Sequence, residues 1–284
     1  MEAAQIFFTE IHHATEHAVA LCRNNDVAEN APDAWSAEVY FEQKPEIGPL
    51  ENAIAEHFPA WANVPPGQLE EIPDTNWVAH SLEGLGIVRA GRFVLYGIHD
   101  ADKLPTDEEN ISIRIDANQA FGTGHHPTTE GCLTLLDRFA GFAPKNILDL
   151  GCGSAILSIA AAKLWNRDVL ATDIDADSIT IAAENAEQNE VGDQIATFVA
   201  DGFSHAEIEN RAPFDFIFAN ILAGPLKEFA PEMAAHTRKN GRVMLAGLMA
   251  DQEAAVLAAY ADAGFRLINR LDHATWPVLL LVRT

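Results

Sequence analysis

The chain has 284 residues, 48% of them hydrophobic, enough for one large or two moderate globular domains with a real core. Acids outnumber bases 42 to 18, and the resulting formal charge of −24 repels phosphate backbones, which argues against duplex DNA or bare RNA as a direct partner. No apolar run reaches the roughly 18–20 residues of a membrane helix, and the start, MEAAQIFFTEIHHATEHA, is acidic where a signal peptide is basic and then apolar.

Three scattered cysteines, Cys22, Cys132 and Cys152, make neither a disulfide framework nor a CxxC knuckle, so a reducing cytoplasm is the expected location. The acidity is uneven. Residues 1–60 hold 11 acids against two bases, a net of −9; residues 121–284 hold 21 against 12, the same excess over a far longer stretch. A basic protein is a fitting partner for such a field. Acidity that serves only solubility is the alternative.

In chain order, QIFFTEI is β-rich, ATEHAVALCRN has helical spacing and SAEVYFEQ alternates, so residues 5–43 read as strand, helix, strand. IGPLENAIAEHFP reads as a short helix stopped by Pro59. Residues 1–60 are thus expected to form a small α+β domain, with 61–110 as linker and connecting segment. GRFVLYGI (91–98) and ISIRIDA (111–117) read as strands around an acidic loop. From Phe139 strands alternate with helices. NILDL, VLATDID, ATFVAD, FDFIFANI and GRVMLAGL are strand-like, and ILSIAAAKLW, DADSITIAAENAEQN, LKEFAPEMAAHTRKN (ended by Gly241) and DQEAAVLAAYADAGF are helical. RLINRLDHATWPVLLLVRT reads as a closing hairpin. The expected fold is α/β, a doubly wound, seven-stranded Rossmann-like domain over 111–284. Ligands in such sheets bind at the carboxyl ends of the strands.

DLGCGSA follows a strand and opens a helix. Gly151 and Gly153 let a ligand approach the backbone there. Asp173 ends the next strand, where a carboxylate accepts ribose hydroxyls, and Asp201 ends the third, within reach of an adenine amino group. Ile156 stands where a dinucleotide fingerprint needs its third glycine. The arrangement therefore suits an adenosine ligand without pyrophosphate, S-adenosylmethionine. Cys152 reads as a small packed residue, not a nucleophile.

A second glycine-rich stretch, AFGTGHHPTT (120–129), lies just upstream. Together with DLGCGSA, TDID and ANILAGPL, and with GRFVLYGIHDADKLP before them, it resembles the PrmA-type methyltransferases over roughly residues 75–284. Those enzymes modify a large-subunit ribosomal protein, the one conventionally numbered eleven. The resemblance implies a class I S-adenosylmethionine-dependent protein N-methyltransferase acting on lysine and α-amino groups. It implies that the loop 121–129 folds over the cofactor, with Thr129 touching it, that Gly151 lines the methionine end, and that Asn220 sits beside the transferred methyl; Phe121 and Gly122 of that loop are further cofactor-binding candidates, and Phe121 is also a candidate for an apolar pocket around the amine. It also implies that the N-terminal domain reads the substrate protein. Gly122 and Gly124 would give the loop its freedom. Thr128 and Thr129 also suit N-capping of a helix starting at Glu130. Adjacent His125 and His126 suit loop packing better than a metal site, and no metal is expected. Ala155 stands where the family usually has glycine.

The expected chemistry is in-line methyl transfer to a neutral amine, oriented by the Asn220 amide. The sequence Asn220-Ile221-Leu222-Ala223 lacks the aromatic that would stack a flipped base, which favours a protein amine. Two alternatives stand beside this reading. One is a lysine methyltransferase of another protein, such as the electron-transfer flavoprotein β subunit. The other is a non-catalytic adapter. A soluble monomer without a membrane or nucleic-acid partner is the expected state.

Overall fold

A strand buried on both faces reads as a continuous apolar run rather than an alternating one, and the centre of this fold is made of such runs. In ILDL (β6, Ile147–Leu150) all four residues are buried, and in FDFIFAN only the terminal Asn220 is not. The computed structural model describes residues 19–23, 35–39, 48, 52, 56, 86–105, 107, 109–115, 127–273 and 275–284. The chain divides into two compact units, 1–74 and 75–284.

In the first unit β1 (Val19–Arg23) pairs antiparallel with β2 (Trp35–Val39), from Val19 opposite Val39 to Arg23 opposite Trp35. The helical spacing read over residues 14–24 is therefore overruled at 19–23, because ladder pairing with a distant strand outweighs weak local propensity. Gly48, Asn52 and Glu56 are helical, where a helix is expected. QIFFTEI lies outside the described residues.

The second unit opens with a three-stranded sheet, β3 (Val88–Ala90), β4 (Phe93–Tyr96) and β5 (Ile111–Arg114), in which Phe93, Leu95 and Ile113 are buried. Helix α1 (Pro127–Arg138) follows. It starts three residues before the expected Glu130, since Pro127 supplies the fixed φ and missing N–H that a first helical turn tolerates. Thr128 and Thr129 thus lie inside the helix and do not cap it.

The main sheet alternates with α2 (Ile156–Trp165), β7 (Val169–Asp173), α3 (Ala176–Gln188), β8 (Ile195–Val199), α4 (Ala206–Arg211), β9 (Phe214–Asn220), α5 (Ala223–Glu228), α6 (Ala230–His236), β10 (Thr237–Ala246), α7 (Glu253–Asp262), β11 (Phe265–His273) and β12 (Trp276–Arg283). Strand order is β11-β12-β10-β9-β6-β7-β8, parallel except for β12, which runs antiparallel to both β10 and β11. This is the doubly wound, seven-stranded sheet expected. Alternate residues serve opposite faces. Ile147, Ala171, Phe216 and Phe218 pack under α1 and α2, while Leu148, Leu170, Ile217 and Leu245 pack under α5, α6 and α7.

One expected helix, residues 226–240, is two short ones. Pro231 cannot donate a backbone hydrogen bond, so the chain breaks at Phe229 and restarts as α6. Residues 237–240 belong to β10, and Gly241 lies within that strand, not at a helix end. Its register shifts between Thr237 and Arg242, and a Cβ at Gly241 would meet the Arg238 and Phe214 carbonyl oxygens at 2.8 and 3.0 Å.

Candidate functional site

The carboxyl ends of β6, β7, β8 and β9 open onto one cleft of about 550 Å³, within the roughly 300–1,000 Å³ typical of small-molecule sites. β6 and β9 are neighbours whose following helices lie on opposite faces, which makes this the point where the sheet's winding reverses.

The floor is the turn after β6. Gly151 (φ +72°) and Gly153 (φ +53°) take left-handed conformations. Gly151 and Cys152 both donate their N–H to the Thr172 carbonyl, at 2.8 and 2.9 Å, and Gly153 donates to Asp173 Oδ2 at 2.8 Å. A Cβ at Gly151 would sit 2.3 Å from Ile221 Cγ2. The turn ends at Ala155, also left-handed at φ 62° and fully buried, just before α2 begins. The methyl group at this position is accommodated, at the strain cost of about 1–2 kcal/mol that a non-glycine residue bears there. Asn185 of α3 steadies the turn by donating to the Ser154 carbonyl at 3.0 Å.

Asp173 is held from both sides. Oδ2 accepts from Gly153, and Oδ1 accepts from the Asp175 N–H at 3.0 Å. Each carboxylate oxygen keeps a further lone pair for a ligand. Asp175 caps α3, accepting from the Ser178 hydroxyl and the Asp177 and Ser178 N–H groups, and these bonds hold its carboxyl below the usual range. Asp201 is exposed and lines the cleft. Asn220 is half-buried at the end of β9, and its amide has no hydrogen-bond partner among the described residues.

Thr129, Gly151, Gly153, Asp173, Asp201 and Asn220, scattered over some 90 positions in the sequence, all line this cleft. Phe121 and Gly122, with Gly124, His125 and His126, lie outside the described residues. Cys152 lines the cleft too. Burial, and then the nearby Asp149 and Asp173 carboxylates, push its thiol well up, which suits packing rather than nucleophilic work.

Sequence reading passed over several lining residues. Exposed Ile174 and Leu222 form apolar walls, and Trp276 reaches the cleft from the hairpin tip. Nothing local in the sequence signals that reach. Asp149 is the larger omission. It lies on β6 with 1% of its surface exposed, and its Oδ2 accepts the Ser158 hydroxyl at 2.6 Å. Burial pushes its carboxyl up to about 7, Ser158 partly offsetting this and Asp173 adding to it. The available signal was a carboxylate inside a run otherwise buried on both faces.

The residues fit an adenosine-containing sulfonium. The turn leaves no room for a Cβ at Gly151, paired carboxylates stand at the ends of β7 and β8, and no third glycine prepares a pyrophosphate site. Fold and site define a class I S-adenosylmethionine-dependent methyltransferase. The model of the family described as ribosomal protein L11 methyltransferase (PrmA) matches residues 2–284. A Brucella suis protein named ribosomal protein L11 methyltransferase is 48% identical over 213 residues, 75% of this chain and 74% of its own length. One of that name from Rhizobium etli is 45% identical over 250 residues, 86% of this chain and 83% of its own. The crystal structure of a ribosomal protein L11 methylase from Lactobacillus delbrueckii subsp. bulgaricus superposes with a TM-score of 0.63 at 30% identity, over 70% of this chain and 99% of that one. The chain belongs to the PrmA family of ribosomal protein L11 methyltransferases, and S-adenosylmethionine is its methyl donor.

Proposed function

We propose that this chain methylates ribosomal protein L11 at lysine ε-amino and N-terminal α-amino groups, with Asn220 orienting the acceptor amine. The observation that carries the reading is the Asn220 amide, unpartnered among the described residues, at the end of β9 on the cleft. When bound, S-adenosylmethionine supplies an activated methyl group whose sulfur is already a good leaving group, so the protein's work is to bind, orient and exclude water.

Asp173 would hold the ribose hydroxyls, Asp201 the adenine amino group, and Gly151 and Gly153 would admit the cofactor against the turn. Thr129, in the first turn of α1, would line its site, and Phe121 and Gly122 would close over it. The acceptor must be neutral. Removing the proton from a lysine of ordinary pKa costs about 4–5 kcal/mol at pH 7, and from an α-amino group about 1 kcal/mol. Leu222, an exposed apolar residue at the cleft, would lower the larger cost by disfavouring the cation once bound substrate covers it. The Asn220 amide oxygen can then accept an amine N–H and aim the nitrogen lone pair. No strong base is required.

The N-terminal domain, read from sequence as residues 1–60, would recognise the substrate protein, with 61–110 connecting it to the methyltransferase domain over 111–284. A basic substrate suits a chain of charge −24. No helix among the described residues is long and apolar enough to cross a membrane. Cytoplasmic location, a monomeric state and independence from nucleic acid complete the proposal.

The test is the intact mass of unmodified ribosomal protein L11 after incubation with this protein and S-adenosylmethionine, followed by peptide mapping. Steps of one methyl each, on lysines and the N-terminus, are expected. An unchanged mass, with cofactor binding demonstrated, would overturn the substrate assignment.

A further inference from the structure

Buried charges in proteins are normally paired or bound to a metal, and Asp149 is neither. It is 1% exposed and lines the cleft, and among the described residues its carboxylate is met by a single neutral residue, Ser158, whose hydroxyl donates to Oδ2 at 2.6 Å. Among the described residues the groups around it supply no cation. Its partners across the sheet are Ala171 on β7 and Phe218 on β9. Cys132 on α1 and Cys152 in the turn are the titratable groups it acts on, and Asp173 at the end of β7 is a like charge. The only cation on α2, Lys163, is turned to the Ser112 carbonyl at 2.8 Å.

We propose that Asp149 gives up a proton to solvent when S-adenosylmethionine enters the cleft, so that affinity for the donor is tied to pH through this one side chain. The donor carries two positive groups, the sulfonium and the α-ammonium, against one carboxylate. Entering a low-dielectric floor, it brings a cation that the described residues around Asp149 do not supply, and the carboxylate becomes the favoured form. After transfer the sulfur is neutral, one positive charge is gone, and Asp149 takes its proton back more readily. The same side chain thus favours donor over spent product. The direction agrees with the burial of the carboxyl, which pushes it up to about 7.

This inference rests on the assignment of the cleft to the methyl donor. Calorimetric titration of the full chain with S-adenosylmethionine at pH 7, in buffers of different ionisation enthalpy, reads the protons released. Wild type is expected to release roughly half a proton more than Asp149→Asn, and its affinity relative to that variant to fall about tenfold from pH 8 to pH 6. S-adenosylhomocysteine is expected to release less than the donor. Equal release by wild type and variant, or by donor and product, overturns the linkage. Ser158→Ala guards against a misfolded Asp149 variant. It leaves the carboxylate in place without its hydroxyl donor, so the midpoint of the donor's pH dependence must move upward, and an unmoved midpoint also overturns the proposal. Absence of any donor binding by the folded wild-type protein instead overturns the assignment of the cleft.

Discussion

Truncating Asn220 separates orientation from binding. Asn220→Ala is expected to keep cofactor affinity by calorimetry and to lose most methyl transfer to ribosomal protein L11; comparable turnover would remove the amide from the mechanism. Asp173→Ala should do the reverse, weakening S-adenosylmethionine by about 1–3 kcal/mol, the usual loss when a hydrogen bond to a charged group is removed. An unchanged dissociation constant would move the ribose elsewhere. Asp149 makes a stability prediction of its own. Its carboxyl sits at about 7 when folded against an ordinary 3.8, so between those values the folded protein holds a proton that the unfolded chain has released. Stability then falls as pH rises through that window, by roughly 4 kcal/mol at most. Asp149→Asn escapes the loss. It should melt higher than wild type at pH 8, with the gap closing toward pH 4, and a gap that ignores pH would refute this account. Asp173 was legible because an acid at the end of the second strand of such a domain is a sequence signal. Asp149 was not, because burial without a counter-charge belongs to the packing around it.

At the scale of elements, the loop after β9 is fixed by two glycines in the turns that follow β6 and β10. Gly151 faces the Ile221 side chain, and Gly247, at φ +83°, faces its backbone, with a Cβ there 2.4 Å from the Ile221 carbonyl oxygen. Backbone cannot yield as a side-chain tip can, so Gly247→Ala must displace Ile221 and its neighbour Asn220. The expected result is a fall in kcat of more than tenfold, with a smaller change in cofactor affinity, read by steady-state kinetics beside calorimetry; unaltered kcat would show that the loop tolerates the shift. Gly151 stood out in the sequence as part of a motif. Gly247 did not, since its importance comes from a contact between β10 and the loop after β9. Hydrogen bonds also join α3 to the site's surroundings. Asn185 holds the Ser154 carbonyl, and Asn189 accepts the Arg114 N–H at 2.9 Å while donating to the Arg114 carbonyl at 2.7 Å. Asn189 caps the end of α3 four residues beyond Asn185, a spacing that a helical reading allows but cannot connect to β5 or to the turn.

For the whole molecule the dominant physical fact is charge. An enzyme at −24 meeting a basic protein gains encounter rate from attraction that salt screens over about 10 Å at 0.1 M. The kcat/KM for ribosomal protein L11 should therefore drop steeply with added salt, while affinity for the small cofactor changes little. A salt-independent kcat/KM would assign the acidity to solubility alone.

Sequence by itself determined the class of fold, because strands buried on both faces and helices with one apolar stripe leave periodic traces in ILDL, FDFIFAN and their neighbours. It determined the glycine-rich turn, whose left-handed positions favour glycine, and the placing of an acid after each of the next two strands. Tertiary structure alone decided that residues 19–23 pair as a strand, that β12 runs between β10 and β11, and that Trp276 and Asp149 face the same cleft as Asn220. The reason is common to all three. Strand pairing and the burial of a charge are set by residues distant in the chain, and no local window contains them.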